Sequence, residues 1–237
     1  MTGKLLCLSS WEQRVNDIVK NKRLVIYGAG GLGREVKWLV ERINKTLTGE
    51  QWVVDGFVNT TGIRGQYDEE LLGDEEWLFK QKDVFIVLAV GSPKARVEIA
   101  GRLEKQFSEN VFPVLIDPSV LHDSTSCSFK YGTIVTAGNI LTVNIKLQPF
   151  SFINLNCTIG HETVIGKGTL LNPTVKMSGG VNVGKGVLIG TGATVLQYLN
   201  IGDFSTVGSG AVVTKNVKSD TVVVGVPARV MDKKNER

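Results

Sequence analysis

The sequence predicts an α/β domain built on a parallel sheet, followed by an all-β coil, and three observations carry that reading. Between residues 24 and 116, strand-like apolar runs alternate with helical stripes, the order that gives a parallel sheet covered by helices. From Phe129, Val135, Leu141, Leu147 and Ile153 onward to Val207, every sixth residue is apolar, fourteen positions without an exception. Such a period marks a repeating coil. Glycine supplies 27 of the 237 residues, about 11% against an average of about 7%, so the chain turns often. The length exceeds the ~100–150 residues of a common domain. Two domains are expected, residues 1–113 and residues 114–237.

Trp11, Val15, Ile18 and Val19 recur at helical spacing and predict a short amphipathic helix. Residues 24–27 form a compact apolar strand that ends at Gly28. Leu32, Val36, Leu39, Val40 and Ile43 restore the helical stripe. Residues 52–58 read as a strand interrupted by Asp55 and Gly56, residues 74–79 as a short helix, and residues 84–90 as an apolar run, typical of a strand buried on both faces. Pro93 opens a helix carrying Val97, Ala100, Leu103 and Phe107. Residues 111–116 are expected to close the sheet.

The first strand-to-helix turn contains Gly28, Gly30 and Gly33, with Gly31 between them, a G-x-G-x-x-G match in the place where it has meaning. Glycines there let the backbone approach a phosphate, which free amides and the helix dipole then hold. A tight turn with no ligand is the plainer alternative. A dinucleotide site would also want a carboxylate ~20 residues on. Asp55 lies 27 positions after Gly28, and the second strand ends Val58-Asn59-Thr60-Thr61. A nicotinamide cofactor therefore ranks below another nucleotide-bearing ligand.

In the second half, Ile159-Gly160, Ile165-Gly166, Val183-Gly184, Ile189-Gly190, Ile201-Gly202 and Val207-Gly208 share one phase. Four residues after the aliphatic stand Cys157, Thr163, Thr169, Val187, Ala193, Ser205 and Ala211. One large and one small inward side chain per hexad describe a flat strand followed by a turn in which glycine relieves backbone strain. Three hexads make one triangular coil, so the run beginning at Phe129 makes between four and five coils. An antiparallel domain would instead alternate strictly and carry hairpin signals such as Asn-Gly, which the sequence lacks.

The charge balance excludes other classes. The net charge of +4 is scattered, with a cluster only at Lys233 and Lys234, so no nucleic-acid footprint is present. Cys7, Cys127 and Cys157 are odd in number and without C-x-x-C spacing, which argues against disulfides and a metal site and fits a reducing cytoplasm. No apolar stretch approaches the ~20 residues of a membrane span, and residues 5–8 are too short for a signal-peptide core.

Repeats of the form I-G-x-x-[STAV]-x resemble those of the hexapeptide-repeat acyltransferases. The GAGGLG turn, AVGSPKAR (89–96), IDPS (116–119), IGHETVIG (159–166) and GVPARVM near the end are similar to the sialic acid O-acetyltransferase and bacillosamine N-acetyltransferase group. The resemblance implies a Rossmann-like nucleotide-sugar domain, a left-handed parallel β-helix and a homotrimer with acetyl-CoA bound between neighbouring chains. It implies acetyl transfer to an amino or hydroxyl group of an activated sugar for surface glycans. His161 is the general base it points to, at the surface near a coil corner, with Glu162 orienting the imidazole. Gly179 is the candidate amide for the oxyanion, Thr191 and Ser209 line the CoA groove, and Gly28, Gly30, Gly31, Asn59 and Thr60 hold the acceptor. A solvated His-Glu pair, a degenerate trimeric scaffold that binds a ligand without turnover, and an NAD-linked oxidoreductase are the alternatives. His122 precedes the repeat and is expected to be structural or solvated. Three positions depart from the group's pattern: Leu170 replaces a second histidine, Asn59-Thr60 an acidic pair, and Ile116-Asp117-Pro118 the sequence I-H-P.

Overall fold

A computed structural model describes residues 21–60 and 70–231; the helix expected around Trp11–Val19 lies outside them. The α/β part comprises β1 (Lys22–Tyr27), α1 (Gly31–Asn44), β2 (Trp52–Val58), β3 (Leu71–Gly73), α2 (Glu75–Phe79), β4 (Phe85–Leu88) and α3 (Pro93–Gln106). Its four strands run parallel in the order β3-β2-β1-β4. Leu24, Val25 and Ile26 are fully buried, because helices or the second domain cover both faces of the sheet. The expected break in β2 is a register shift opposite Leu24 and Val25, and Asp55 beside it pairs with Arg23 at 2.8 Å. Asp74 caps α2 by accepting from Trp77 N, and Ser92 caps α3 just before Pro93.

One sequence expectation needs correction, and one element was not read. Residues 111–116 add no strand to this sheet: Glu109–Val111 is a 3₁₀ turn, and Leu115–Ile116 pairs with Ile134–Val135 in the coil. Burial decides this, since Phe112 packs edge-on against Phe150 of the coil at 5.0 Å and the Leu115 N–H donates to Thr133 O. The edge strand β3 has only three residues, too few for a period to be read.

The second part is a parallel β-helix with three sheets of five, six and eight strands. The chain passes from the long sheet (for example Phe152–Ile153) to the middle sheet (Thr158–Ile159) and then the short sheet (Val164–Ile165). Partners stand three hexads apart, as in Ile153 with Leu171 and Ile159 with Met177. All thirteen in-phase aliphatics from Val135 to Val207 are buried, and so are the small residues Cys157, Thr163, Thr169, Val187, Ala193, Ser205 and Ala211. Two inward side chains per hexad fill the prism, as the pattern requires.

The coil is longer than the hexad count suggested. The long sheet holds seven parallel strands, from Leu115–Ile116 to Val222–Val224, and an antiparallel Arg229–Val230 closes it. The phase slips at both ends, which hid these strands. His122 pairs with Leu141, a step slightly longer than three hexads, and Val223 pairs with Val207, a step slightly shorter. His122 thus takes an inward position in the first coil, its ring edge-on to Phe129 at 5.3 Å. It is structural.

The hexad glycine also works differently from the expectation. The residues in the left-handed region recur every six positions from 132 to 210, fourteen in all. Seven are glycines, and the others are Asn144, Phe150, Asn156, Glu162, Thr174, Tyr198 and Phe204. The glycine after the aliphatic stands two residues earlier. At Gly160, for example, a Cβ would come within 2.6 Å of Gly179 N in the next coil. Close stacking of coils requires that glycine, not a positive φ.

The α/β part covers the outer face of the long sheet. Ile134, Phe152 and Leu170 share one apolar cluster with Leu24, Ile26, Val36 and Leu39. At one corner Arg42 of α1 grips the buried Asp117 with bonds of 2.5 and 3.0 Å. At the other, Lys167 donates to Glu104 at 2.7 Å. Between them Arg96 is fully buried, donating to Phe150 O and Leu88 O at 2.6 Å each. Burial pulls its guanidinium down to about 9.

Candidate active site

His161 stands at the corner between the middle and short sheets, half exposed. Its Nδ1 lies 3.6 Å from Glu162 Oε2, longer than a hydrogen bond but facing it. Glu162 occupies the left-handed corner position, at φ 62°, which turns its side chain alongside the imidazole. One coil further on, Gly179 stacks above His161. A Cβ at Gly179 would lie 2.3 Å from His161 Nε2, so the ring occupies the space that any side chain there would need. Gly180 N donates to His161 O at 2.7 Å, fixing the two corners together. Among the described residues the Gly179 N–H has no backbone acceptor. An imidazole nitrogen and a spare amide thus share one notch.

Thr191 and Ser209 are exposed and stacked one above the other, but at a different corner, between the long and middle sheets. Within one chain they do not meet His161.

Gly28, Gly30, Gly31, Asn59 and Thr60 converge at the C-terminal ends of β1 and β2. The structure divides the glycines by role. A Cβ at Gly28 would lie 2.3 Å from Ala89 O, and one at Gly33 would lie 2.0 Å from Gly28 O, so these two let strand, turn and helix pack. Among the described residues a Cβ at Gly30 or Gly31 would meet nothing within 4 Å, so the start of α1 can be approached closely. Asn59 N donates weakly to Gly73 O at 3.4 Å, and Thr60 is exposed. Asp55, the nearest carboxylate in the sequence, is engaged by Arg23. With β2 on one side of β1 and β4 on the other, the strand order reverses at β1, where an open α/β sheet binds ligands.

A cleft of about 540 Å³ begins at Gly91 and Ser92 beyond β4 and runs past Lys94 and Val97 to Leu188 and Phe204 of the coil. It contains none of the expected site residues. Ser92 and Lys94 were read only as part of AVGSPKAR; the Ser-Pro start of a helix after a buried strand is the signal that could have singled them out.

Two departures from the group's pattern have structural roles. Leu170 is buried in the interdomain cluster, trading an imidazole for apolar packing. Asp117 is the carboxylate that Arg42 grips. Its burial alone would raise its pKa, but hydrogen bonds from Arg42 and Ser119 and the charge of Arg42 outweigh that and hold it at about 2. Cys157 is a core thiol, pushed up to about 12 by burial. Among the described residues no cluster of side chains has metal-ligand geometry, and no helix is long and apolar enough to cross a membrane.

In a triangular coil the corner between the middle and short sheets lies opposite the long sheet, and the long sheet is the face that the α/β part covers. His161 and the glycine-rich turn of the same chain therefore lie on opposite sides of the prism.

An α/β domain followed by a left-handed parallel β-helix is the fold of the hexapeptide-repeat sugar acetyltransferases to which this chain is similar. Residues 23–103 match the family model of the PglD N-terminal domain, and the resemblance read in the sequence is borne out. WeeI from Acinetobacter baumannii is similar at 27% identity, with 88% of this chain and 99% of that one covered and a TM-score of 0.72. The acetyltransferase domain of PglB from Neisseria gonorrhoeae, in complex with acetyl coenzyme A, is 25% identical over 89% of this chain and 100% of that one, with a TM-score of 0.75. A variant of GDP-perosamine N-acetyl transferase from Caulobacter crescentus, in complex with CoA and GDP-perosamine, shares the fold at 23% identity and a TM-score of 0.78, covering 89% and 97% of the two chains. No curated protein matches the sequence.

Proposed function

We propose that this acyltransferase moves an acetyl group from acetyl-CoA to an amino or hydroxyl group of a nucleotide-linked sugar used for surface glycans, with His161 as general base. The observation that carries the reading is the notch in which His161 Nε2 occupies the side-chain space of Gly179, a residue whose amide has no backbone acceptor among the described residues. Solved relatives that hold CoA, acetyl-CoA and a nucleotide sugar support the choice of substrates.

The acceptor nitrogen or oxygen attacks the thioester carbonyl carbon while Nε2 takes its proton. The carbonyl oxygen becomes an oxyanion and accepts a hydrogen bond from the Gly179 N–H. Collapse of the adduct breaks the carbon–sulfur bond, and the CoA thiolate recovers the proton from the imidazolium. No covalent enzyme intermediate is required. Glu162, alongside Nδ1, favours the tautomer that carries its proton there and leaves Nε2 free.

A second chain completes the site in this reading. Gly28, Gly30, Gly31, Asn59 and Thr60 hold the nucleotide sugar on one side of the coil, and His161 lies on the other. A homotrimer brings the acceptor domain of a neighbouring copy, and its Thr191–Ser209 corner for CoA, to each His161. The test is CoA release from acetyl-CoA with a panel of nucleotide-linked amino sugars. His161→Ala is expected to lower turnover about 10²–10⁴-fold with the assembly unchanged by sedimentation. Full activity in that variant would reject the assignment.

A further inference from the structure

Of the three aromatic residues at the fourteen left-handed corners, Tyr198 is the most exposed. Bulky side chains avoid this region, and its φ is 57°. The two phenylalanines in the same situation gain contacts: Phe150 is fully buried among Phe112 and Tyr131, and Phe204 lies under Lys185. Tyr198 is 67% exposed. Its ring meets Gly180, where a Cβ would lie 2.3 Å from Cδ1, and the imidazole of His161, with ring centroids 6.5 Å apart and edge to face. Local preference is overridden here beside the notch, and such conflicts gather at functional sites.

The notch has a definite shape. Its floor is the Gly179–Gly180 backbone, His161 is its wall toward the N-terminal coils, and Tyr198 is its wall toward the C-terminal coils. In the acetyl-transfer reading the thioester carbonyl lies at His161 Nε2, and the Tyr198 ring beside that imidazole borders the space next to it. Resting on the acetyl-transfer reading, we infer that Tyr198 is a specificity-determining residue that closes the acyl pocket and limits the transferred group to acetyl. A longer acyl chain on the same thioester would have to pass through the space its ring fills.

The test compares acetyl-, propionyl- and butyryl-CoA on the wild type, Tyr198→Gly and Tyr198→Phe. Tyr198→Gly is expected to raise the propionyl-to-acetyl ratio of kcat/KM about tenfold or more, the usual worth of one methylene. Its thermal stability should be equal or higher, because glycine is unstrained at this corner. Tyr198→Phe keeps the ring and should keep the wild-type ratio. An unchanged ratio in Tyr198→Gly would overturn the inference, even if the assembly had changed. Calorimetric binding of the same three thioesters reads the wall without turnover. A wild type that binds acetyl-CoA at least tenfold more tightly than butyryl-CoA, while Tyr198→Gly binds both alike, supports the wall even if nothing is transferred, which would count against His161 alone. Equal binding of the two by the wild type would overturn the wall, and no binding of any would overturn both.

Discussion

His161 and Gly179 occupy the same place in successive coils, and each restricts the other. The imidazole fills the space where a side chain at Gly179 would stand, which leaves the neighbouring amide uncovered. The three atoms nearest to a methyl group added at Gly179 all belong to the far end of the His161 ring, so the ring can swing away at little cost. Gly179→Ala is therefore expected to keep its unfolding free energy, from urea titration, within about 0.5 kcal/mol of wild type while turnover drops at least about tenfold through the displaced base. Wild-type turnover in that variant would refute the notch. His161 and Glu162 were legible as a pair in the sequence. The contact between His161 and Gly179 was not, because it depends on the stacking of two coils.

Between elements, the α/β part is tied to the coil by charges as well as apolar surface. Asp117 holds α1 to the first coil through Arg42, and its carboxyl sits at about 2, below the ordinary value of 3.8. A carboxyl with a depressed pKa stabilises the fold fully above its unfolded value and ceases to do so as pH falls through the folded one. The contribution, on the order of 2 kcal/mol, should be complete above about pH 5 and fade between about pH 4 and about pH 2. Asp117→Asn should lose it at neutral pH and flatten that part of the stability profile in denaturant titrations. A variant with the wild-type profile would show that the ion pair contributes nothing. The strands and helices of the α/β part, apart from the three-residue β3, were readable from periodicity. Residues 111–116 were misassigned because an apolar run does not say which of two sheets it joins.

For the whole molecule, the decisive relation is that the glycine-rich turn and His161 lie on opposite sides of the prism. If neighbouring copies share each site, two inactive variants should rescue one another. Gly31→Glu puts a negative charge where a phosphate is expected, in open space that tolerates it, and His161→Ala removes the base. Mixed assemblies refolded from both should regain a measurable part of wild-type turnover, whereas each variant alone stays inactive. No recovery from well-folded mixed trimers would mean that each chain works by itself.

The sequence by itself determined the coil, because one inward aliphatic every six residues leaves no other way to bury the thirteen from Val135 to Val207. It also determined the parallel α/β sheet and the glycine-rich turn, through local periodicity and backbone freedom. Tertiary structure alone decided which corner each residue occupies, that Gly28 and Gly33 serve packing while Gly30 and Gly31 stay open, and that Asp117 is a latch. Those outcomes depend on contacts between residues a full coil or more apart in the chain, and on which face of the prism the first domain covers. No local pattern encodes either.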